Sequence, residues 1–296
     1  MIAADAATPQ RPAHRKRFMT HAQQGAWTRA LLMGIYVVVM AFPFYWMVIT
    51  ALKTNNDLYT LSNNPLWFNE LPTFGHIIYL FNNTRFATWM LNSAIIGFFV
   101  VLITLVISTP AGYALARLDL PGANQLGMII FATYLIPPTL LFIPLTRVVY
   151  FMSLQNTIWS LVIVLPTISI PFSVWLLMGF FKNVPREIED AGLVDGCSRF
   201  QAVTKIVLPI SRAGLAAAGM FAFAISLQAF LYPLVFTSST AVKPVTLGVV
   251  TDLVRGDIFY WGELMAGALI AGLPVAILFN WFLDDFVEGI TGGAFK

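Results

Sequence analysis

Cysteine is almost absent. Cys197 is the only one in 296 residues, which excludes an internal disulfide and any cysteine-based metal site. Charge is scarce as well: Asp, Glu, Lys and Arg together make up 10% of the chain. The three histidines, His14, His21 and His76, are scattered and form no metal-ligand pattern. No G-x-x-x-x-G-K-[ST] occurs, so the chain has no loop to cradle the phosphates of ATP. H-E-x-x-H and G-x-S-x-G are missing too. On this reading the chain is not an enzyme.

What the sequence has instead is apolar length. It is 58% hydrophobic and 14% aromatic, with a mean hydropathy of +0.77, far above a soluble globular protein. Six spans carry no Asp, Glu, Lys or Arg: 30–52, 86–116, 120–146, 148–181, 213–242 and 264–283. Each reaches the roughly 20 apolar residues that a helix needs to cross a bilayer. Backbone groups in lipid must satisfy one another, so the spans are expected to be helices. The expected fold is an all-α polytopic membrane protein with six transmembrane helices. No Asp, Glu or His falls inside a span, whereas proton-coupled carriers usually keep such groups as relays. Energy for uphill movement would have to enter from outside the bilayer.

Lys and Arg set the expected orientation. With the N-terminus inside, only Lys53, Arg85, Arg147, Lys243 and Arg255 fall outside, and the other 12 of 17 fall inside. Both termini are then cytoplasmic. The net charge of +3 follows from topology and implies no nucleic-acid partner. Residues 1–25 read as a cytoplasmic tail, 26–290 as the transmembrane domain and 291–296 as a second cytoplasmic tail. Prolines inside the spans, Pro110, Pro137, Pro138, Pro171 and Pro233 among them, favour kinked helices around a path over a simple anchor.

One polar island interrupts this pattern. "EIEDAGLVDGCSRFQAVTKIVLPI", Glu187 to Ile210, lies in the cytoplasmic loop 182–212 between the fourth and fifth spans. It reads as two short helices around a turn. Pro185 suits a helix start, and Glu187, Glu189 and Asp190 complement the positive end of a helix. Asp195-Gly196 marks the turn. Ser198 to Gln201 matches a capping box. Phe200, Val203 and Val207 are spaced to share one face of the second helix. Ala191 and Gly192 leave the first helix nearly bare on one side, and Pro209 marks entry to the fifth span.

"EDAGLVDG" followed by "LP" at Pro209 resembles the E-A-A…G…I-x-L-P loop of ABC importer permeases. "GYALARLDLPG", "PVTLGVV", "YWGELMAGALIAGLP" and "GITGGAFK" resemble the sugar-importing permeases of the maltose-transporter type, specifically the smaller six-span subunit. The resemblance covers nearly the whole chain from residue 30. Two departures are Asp190 in place of the usual Glu and Gly192 in place of the usual Ala.

The resemblance implies a permease subunit of the bacterial inner membrane that pairs with a second permease. A separate pair of ATPase subunits would carry ATP and Mg, this chain holding no cofactor. An extracytoplasmic solute-binding protein would deliver a sugar-class substrate; a polyol or sugar phosphate is the alternative, and a non-transport membrane scaffold the rival outside the class. The coupling helix pair would dock in the ATPase through Glu189, Asp190, Ala191, Gly192, Asp195, Gly196, Phe200 and Pro209. Thr246, Leu247 and Gly248 would approach the binding protein. Gly292 and Gly293 would let the tail enter the ATPase interface. Sugars ask for amides and aromatic faces; Gln228 and Tyr232, one helical turn apart, are the expected pair, with Tyr134 and Asn280 as further candidates.

Overall fold

The computed structural model describes residues 21–255 and 258–283. Segments 1–20, 256–257 and 284–296 lie outside the described residues, and Gly292 and Gly293 with them. The chain divides into two units, Met1–Met47 and Val48–Lys296. Helix α1 (His21–Leu52) makes up the described part of the first unit and runs on into the second, with Pro43 inside it. It begins within the stretch 1–25 expected to be tail.

In the second unit, α2 (Asn55–Tyr59) and α3 (Gly75–Asn83) precede α4 (Phe86–Arg117). The loop around α2 is tied by Asp57, whose carboxylate accepts from Lys53 Nζ, Asn63 Nδ2 and the amide and side chain of Asn69. Burial pushes the Asp57 carboxyl up, but these donors outweigh it and hold the group below its ordinary range. Then come α5 (Ala123–Tyr134), α6 (Pro138–Phe151), α7 (Ile158–Val164) and α8 (Pro166–Asn183). Two short helices follow, α9 (Arg186–Val194) and α10 (Arg199–Ala202), then a π-helical turn at Val203–Val207 and α11 (Leu208–Ile210). The chain continues through α12 (Arg212–Gln228), α13 (Leu231–Phe236), α14 (Val245–Leu253) and α15 (Trp261–Trp281).

Among the described residues, four helical stretches are long and apolar enough to cross a bilayer: Thr28–Leu52, Phe86–Arg117, Ile158–Asn183 and Trp261–Trp281. The third and fifth expected spans are not single helices. Helices α5 and α6 meet at 90°. Pro137 and Pro138 follow the last turn of α5 and have no N–H to continue its ladder. The amides of Leu135 and Ile136 instead close short bonds to Ala132 and Thr133. Helix α12 ends at Gln228 and the backbone is extended at Ala229, so the expected run 213–242 breaks before α13. At its other end α12 meets the α10–α11 segment at 77°. The described residues are nearly all helical, as expected; the exception is a small antiparallel ladder, β1 (Val254–Arg255) with β2 (Ile258–Phe259).

Helix α4 is the centre of the second unit. It packs against α8 and α12, and α5 packs against α8. Its residues enter every buried apolar cluster: Ile96 and Val100 with Leu161 and Phe236, Phe86 and Trp89 with Val249 and Ala266, Tyr113 beside Phe181, and Leu115 with Val174. Close approach to α8 depends on Gly112, where a Cβ would lie 3.1 Å from the Met178 amide and 3.2 Å from the Val174 carbonyl. Backbone proximity of this kind lets helices pack where there is no hydrophobic drive from water. A buried Thr104 Oγ1–Ser169 Oγ hydrogen bond of 2.7 Å spans the same contact. On the far side of α4, Phe98, Leu102 and Val106 are exposed, as suits a helix apolar all round.

Candidate functional site

The polar island folds as the local chemistry dictates. Helix α9 ends in a Schellman motif: the Cys197 amide donates to Gly192 O at 3.0 Å and the Gly196 amide to Leu193 O at 3.1 Å. Gly196 takes φ of +89°, the left-handed conformation that glycine reaches without steric cost. Helix α10 then starts with a complete capping box. Gln201 N donates to Ser198 Oγ at 3.3 Å and Ser198 N to Gln201 Oε1 at 2.9 Å. Beyond it, Pro209 has no N–H and crowds the preceding turn. The Leu208 amide reaches back five residues to Val203 O, which gives the π turn.

That π turn corrects the expected face of the second helix. Phe200 is 77% exposed while Val207 is fully buried, because the widened turn shifts the phase of the residues after it. Val207 packs with Leu177, Phe181 and Ala218. Gly192 also differs from expectation. It is buried, and a Cβ there would sit 2.3 Å from Ile206 Cδ1, so the bare side of α9 is occupied by the second half of the pair. The outward surface is instead Asp190, Ala191, Val194, Asp195 and Phe200, all exposed.

Glu189 points the other way. It is 6% exposed and accepts a hydrogen bond from the Tyr113 hydroxyl of α4. Arg117 Nε lies 3.6 Å from its second oxygen, and Arg117 Nη2 donates to the Val184 carbonyl. Outside this buried group, the Arg186 guanidinium binds Asp119 with both terminal nitrogens, at 2.7 and 3.2 Å. Those hydrogen bonds hold the Asp119 carboxyl below its usual range and raise Arg186. The sequence reading named Glu189 and missed Tyr113 and Arg117. Their i, i+4 spacing at the end of an apolar span was the available signal.

The expected substrate residues stand in different settings. Gln228 is exposed at the end of α12. Tyr232 is 3% exposed and its hydroxyl donates to Pro138 O at 2.9 Å, so the break at Ala229 separates the pair. Asn280 is exposed on α15. Tyr134 stands in an aromatic group with Phe131, Phe172 and Phe221, and the Phe131 ring lies tilted against Trp175 with centroids 4.8 Å apart. The segment leading into α14 is held by the start of α4. Trp89 Nε1 donates to Thr240 O, Asn92 Nδ2 to Ala241 O and Lys243 O, and the Val245 amide donates to Ser93 Oγ. Gly248 lies under the Trp89 ring, where a Cβ would be 2.3 Å from Cδ2. Thr246 donates to Leu227 O and Leu247 is 1% exposed. These three residues are packed within the chain. Among the described residues, no cluster of three or more His, Cys, Asp or Glu could hold a metal.

Comparison with known proteins matches this architecture. Residues 108–291 match the family model described as binding-protein-dependent transport system inner membrane component. The sulfoquinovosyl glycerol transport system permease protein SmoH of Agrobacterium fabrum is 31% identical over 270 residues, covering 90% of this chain and 93% of the relative. The diacetylchitobiose uptake system permease protein DasC of Streptomyces coelicolor is 30% identical, covering 88% and 94%. A solved bacterial ABC transporter involved in the import of the acidic polysaccharide alginate shares the fold, with a TM-score of 0.77 at 16% identity over 92% of this chain and 100% of that one. With its apolar helices and this match, the chain is a multi-pass inner membrane protein that belongs to the family of binding-protein-dependent transport system inner membrane components.

Proposed function

We propose that the chain is a permease subunit of an ABC importer for a sugar or sugar derivative, and that α9 to α11 form its cytoplasmic socket for a separate ATPase subunit. One observation carries the reading. The helix pair is fixed on its inner side by Glu189 and Gly192, while its outer side exposes Val194 at 87%, Phe200 at 77% and Ile188 at 42% among charged residues. Large apolar side chains exposed within a polar segment fit a protein partner. Asp190 and Asp195 on the same outer surface add charge for registering that partner.

In this reading α5 with α6 makes one crossing and α12 with α13 another, giving six spans with both termini cytoplasmic. Residues 26–290 form the permease domain, the loop 182–212 carries the socket, and 1–25 and 291–296 are tails. A second permease completes the path, ATP and Mg reside on the ATPase pair, and an extracytoplasmic binding protein delivers the solute. The sugar class is supported by the carbohydrate substrates in the relatives' names. It is supported too by the aromatic faces of Tyr134, Phe172 and Trp175, since sugars present apolar C–H patches to such rings. Gln228 and Asn280 remain the candidate amides; the Tyr232 hydroxyl is already spent on Pro138.

The test is association with the ATPase subunit. Each side chain buried there is worth about 1.5–3 kcal/mol, so Phe200→Ala with Val194→Asp should weaken co-purification by about tenfold or more. Wild-type recovery of the ATPase by that double variant would refute the socket.

A further inference from the structure

We infer that α4 is a rod that couples the segment 240–248 at one end to the α9–α11 socket at the other, with Asn92 and Arg117 as its positioning residues. The inference rests on the proposed function and names the element through which a binding-protein signal reaches the ATPase.

Both ends of α4 are bonded, and in the same manner. At its first turns Trp89, Asn92 and Ser93, spaced i, i+3 and i+4, hold four backbone groups of residues 240–245. At its last turns Tyr113 and Arg117, spaced i, i+4, hold Glu189 and the Val184 carbonyl just before α9. Asn92, Arg117 and Glu189 are each at most 8% exposed. Hydrogen bonds are directional and short-ranged, so bonded elements resist sliding where apolar surfaces do not. Among the described residues the second half of the helix pair has no hydrogen bond to α4; Val207 there sits in an apolar cluster with Leu177, Phe181 and Ala218, against which Leu105 and Tyr113 of α4 pack. A displacement of α9 therefore passes to α4.

The shaft between these ends is continuous. Helix α4 runs 32 residues, about 48 Å at a rise of about 1.5 Å per residue. Pro110 lies inside it without ending it. It is clamped to α8 past its midpoint by the Thr104–Ser169 bond and nearer its end by the Gly112 approach, which limits bending. Interface motions are amplified along such packed elements because they have discrete arrangements and do not deform continuously.

The experiment uses the complete transporter reconstituted in liposomes, with its ATPase pair and solute-loaded binding protein. ATP hydrolysis is measured with and without that binding protein for wild type, Asn92→Ala, Glu189→Gln and Arg117→Gln. Removing one partner of a buried polar pair is costly, and the stimulation ratio is expected to fall about tenfold in each variant. Because both ends act through one rod, Asn92→Ala with Arg117→Gln should be no worse than the worse single variant, a failure of additivity. Cys197, half-buried beside the socket turn, gives a readout independent of turnover. Its maleimide labelling rate in this chain should respond to loaded binding protein in wild type and not in Asn92→Ala. Unchanged stimulation in variants that retain the ATPase, additive losses in the double variant, or a wild-type Cys197 response in Asn92→Ala would each overturn the rod. Absence of the ATPase from the purified wild-type complex would instead overturn the reading beneath it.

Discussion

Gly196→Val isolates the geometry of the socket from its surface. Gly196 sits at φ +89° in the Schellman turn that sets the angle between α9 and α10. A Cβ at this position would meet nothing within 4 Å, so backbone strain is the main effect expected of the substitution. Holding a residue with a Cβ in the left-handed region costs roughly 1–2 kcal/mol, and a β-branched one is among the least tolerant. The turn can relieve that strain only by leaving the left-handed region. That loses the Cys197-to-Gly192 and Gly196-to-Leu193 bonds and re-aims Phe200 relative to Asp190. An equilibrium shift of 1–2 kcal/mol is roughly 5- to 30-fold, and this is the expected rise in the dissociation constant of the ATPase subunit. The measurement is a binding titration of that subunit against the chain in nanodiscs. Gly196→Asn should lose less, since Asn enters the left-handed region more readily. If valine binds like glycine, or asparagine is as poor as valine, the argument from backbone angle is refuted.

Two further outcomes follow from buried contacts elsewhere in the chain. His76 Nδ1 faces Glu263 at 3.0 Å and Nε2 faces the Lys53 carbonyl at 2.8 Å, so two acceptors favour the doubly protonated ring. The hydrogen bond to Glu263 raises the His76 pKa against the opposing effect of burial. A raised folded-state value means the stabilisation is full below the ordinary imidazole value of about 6.5 and fades as pH rises through the folded value. Thermal unfolding of the purified protein should therefore show a melting temperature that falls over this alkaline limb in wild type, and a flatter profile in His76→Gln; parallel profiles would refute it. Gly248→Ala would place a Cβ 2.3 Å from the fully buried Trp89 ring and force it to move, costing about 1–3 kcal/mol. Lower thermal stability, partly restored by Trp89→Leu in the same chain, is the expected result, and an unaffected Gly248→Ala would remove the packing argument.

Features that depend on a few adjacent residues were legible in the sequence. Asp195-Gly196 and Ser198 to Gln201 form the turn and capping box that their chemistry specifies, because the bonding groups lie within four residues of one another. Proline was legible as punctuation but not in its strength. Pro43 and Pro110 stay inside continuous helices, while Pro137-Pro138 ends one and permits a 90° bend. Whether a freed carbonyl bends a helix or stops it depends on neighbours that satisfy it, and those neighbours come from other parts of the chain.

By itself the sequence determined the membrane class, since apolar length and scarce charge leave the backbone no alternative to helices in lipid. It also determined the position and local form of the polar helix pair. Tertiary structure decided which residues of that pair face inward. Glu189 meets Arg117 across about seventy residues of chain, Gly192 is filled by Ile206, and Gly248 is filled by Trp89. A carboxylate on an amphipathic helix has the same local chemistry whether it meets a buried guanidinium or a partner protein. Only the packing of α4 against the loop distinguishes the two, because the cost of burying a charge is set by what the fold brings beside it.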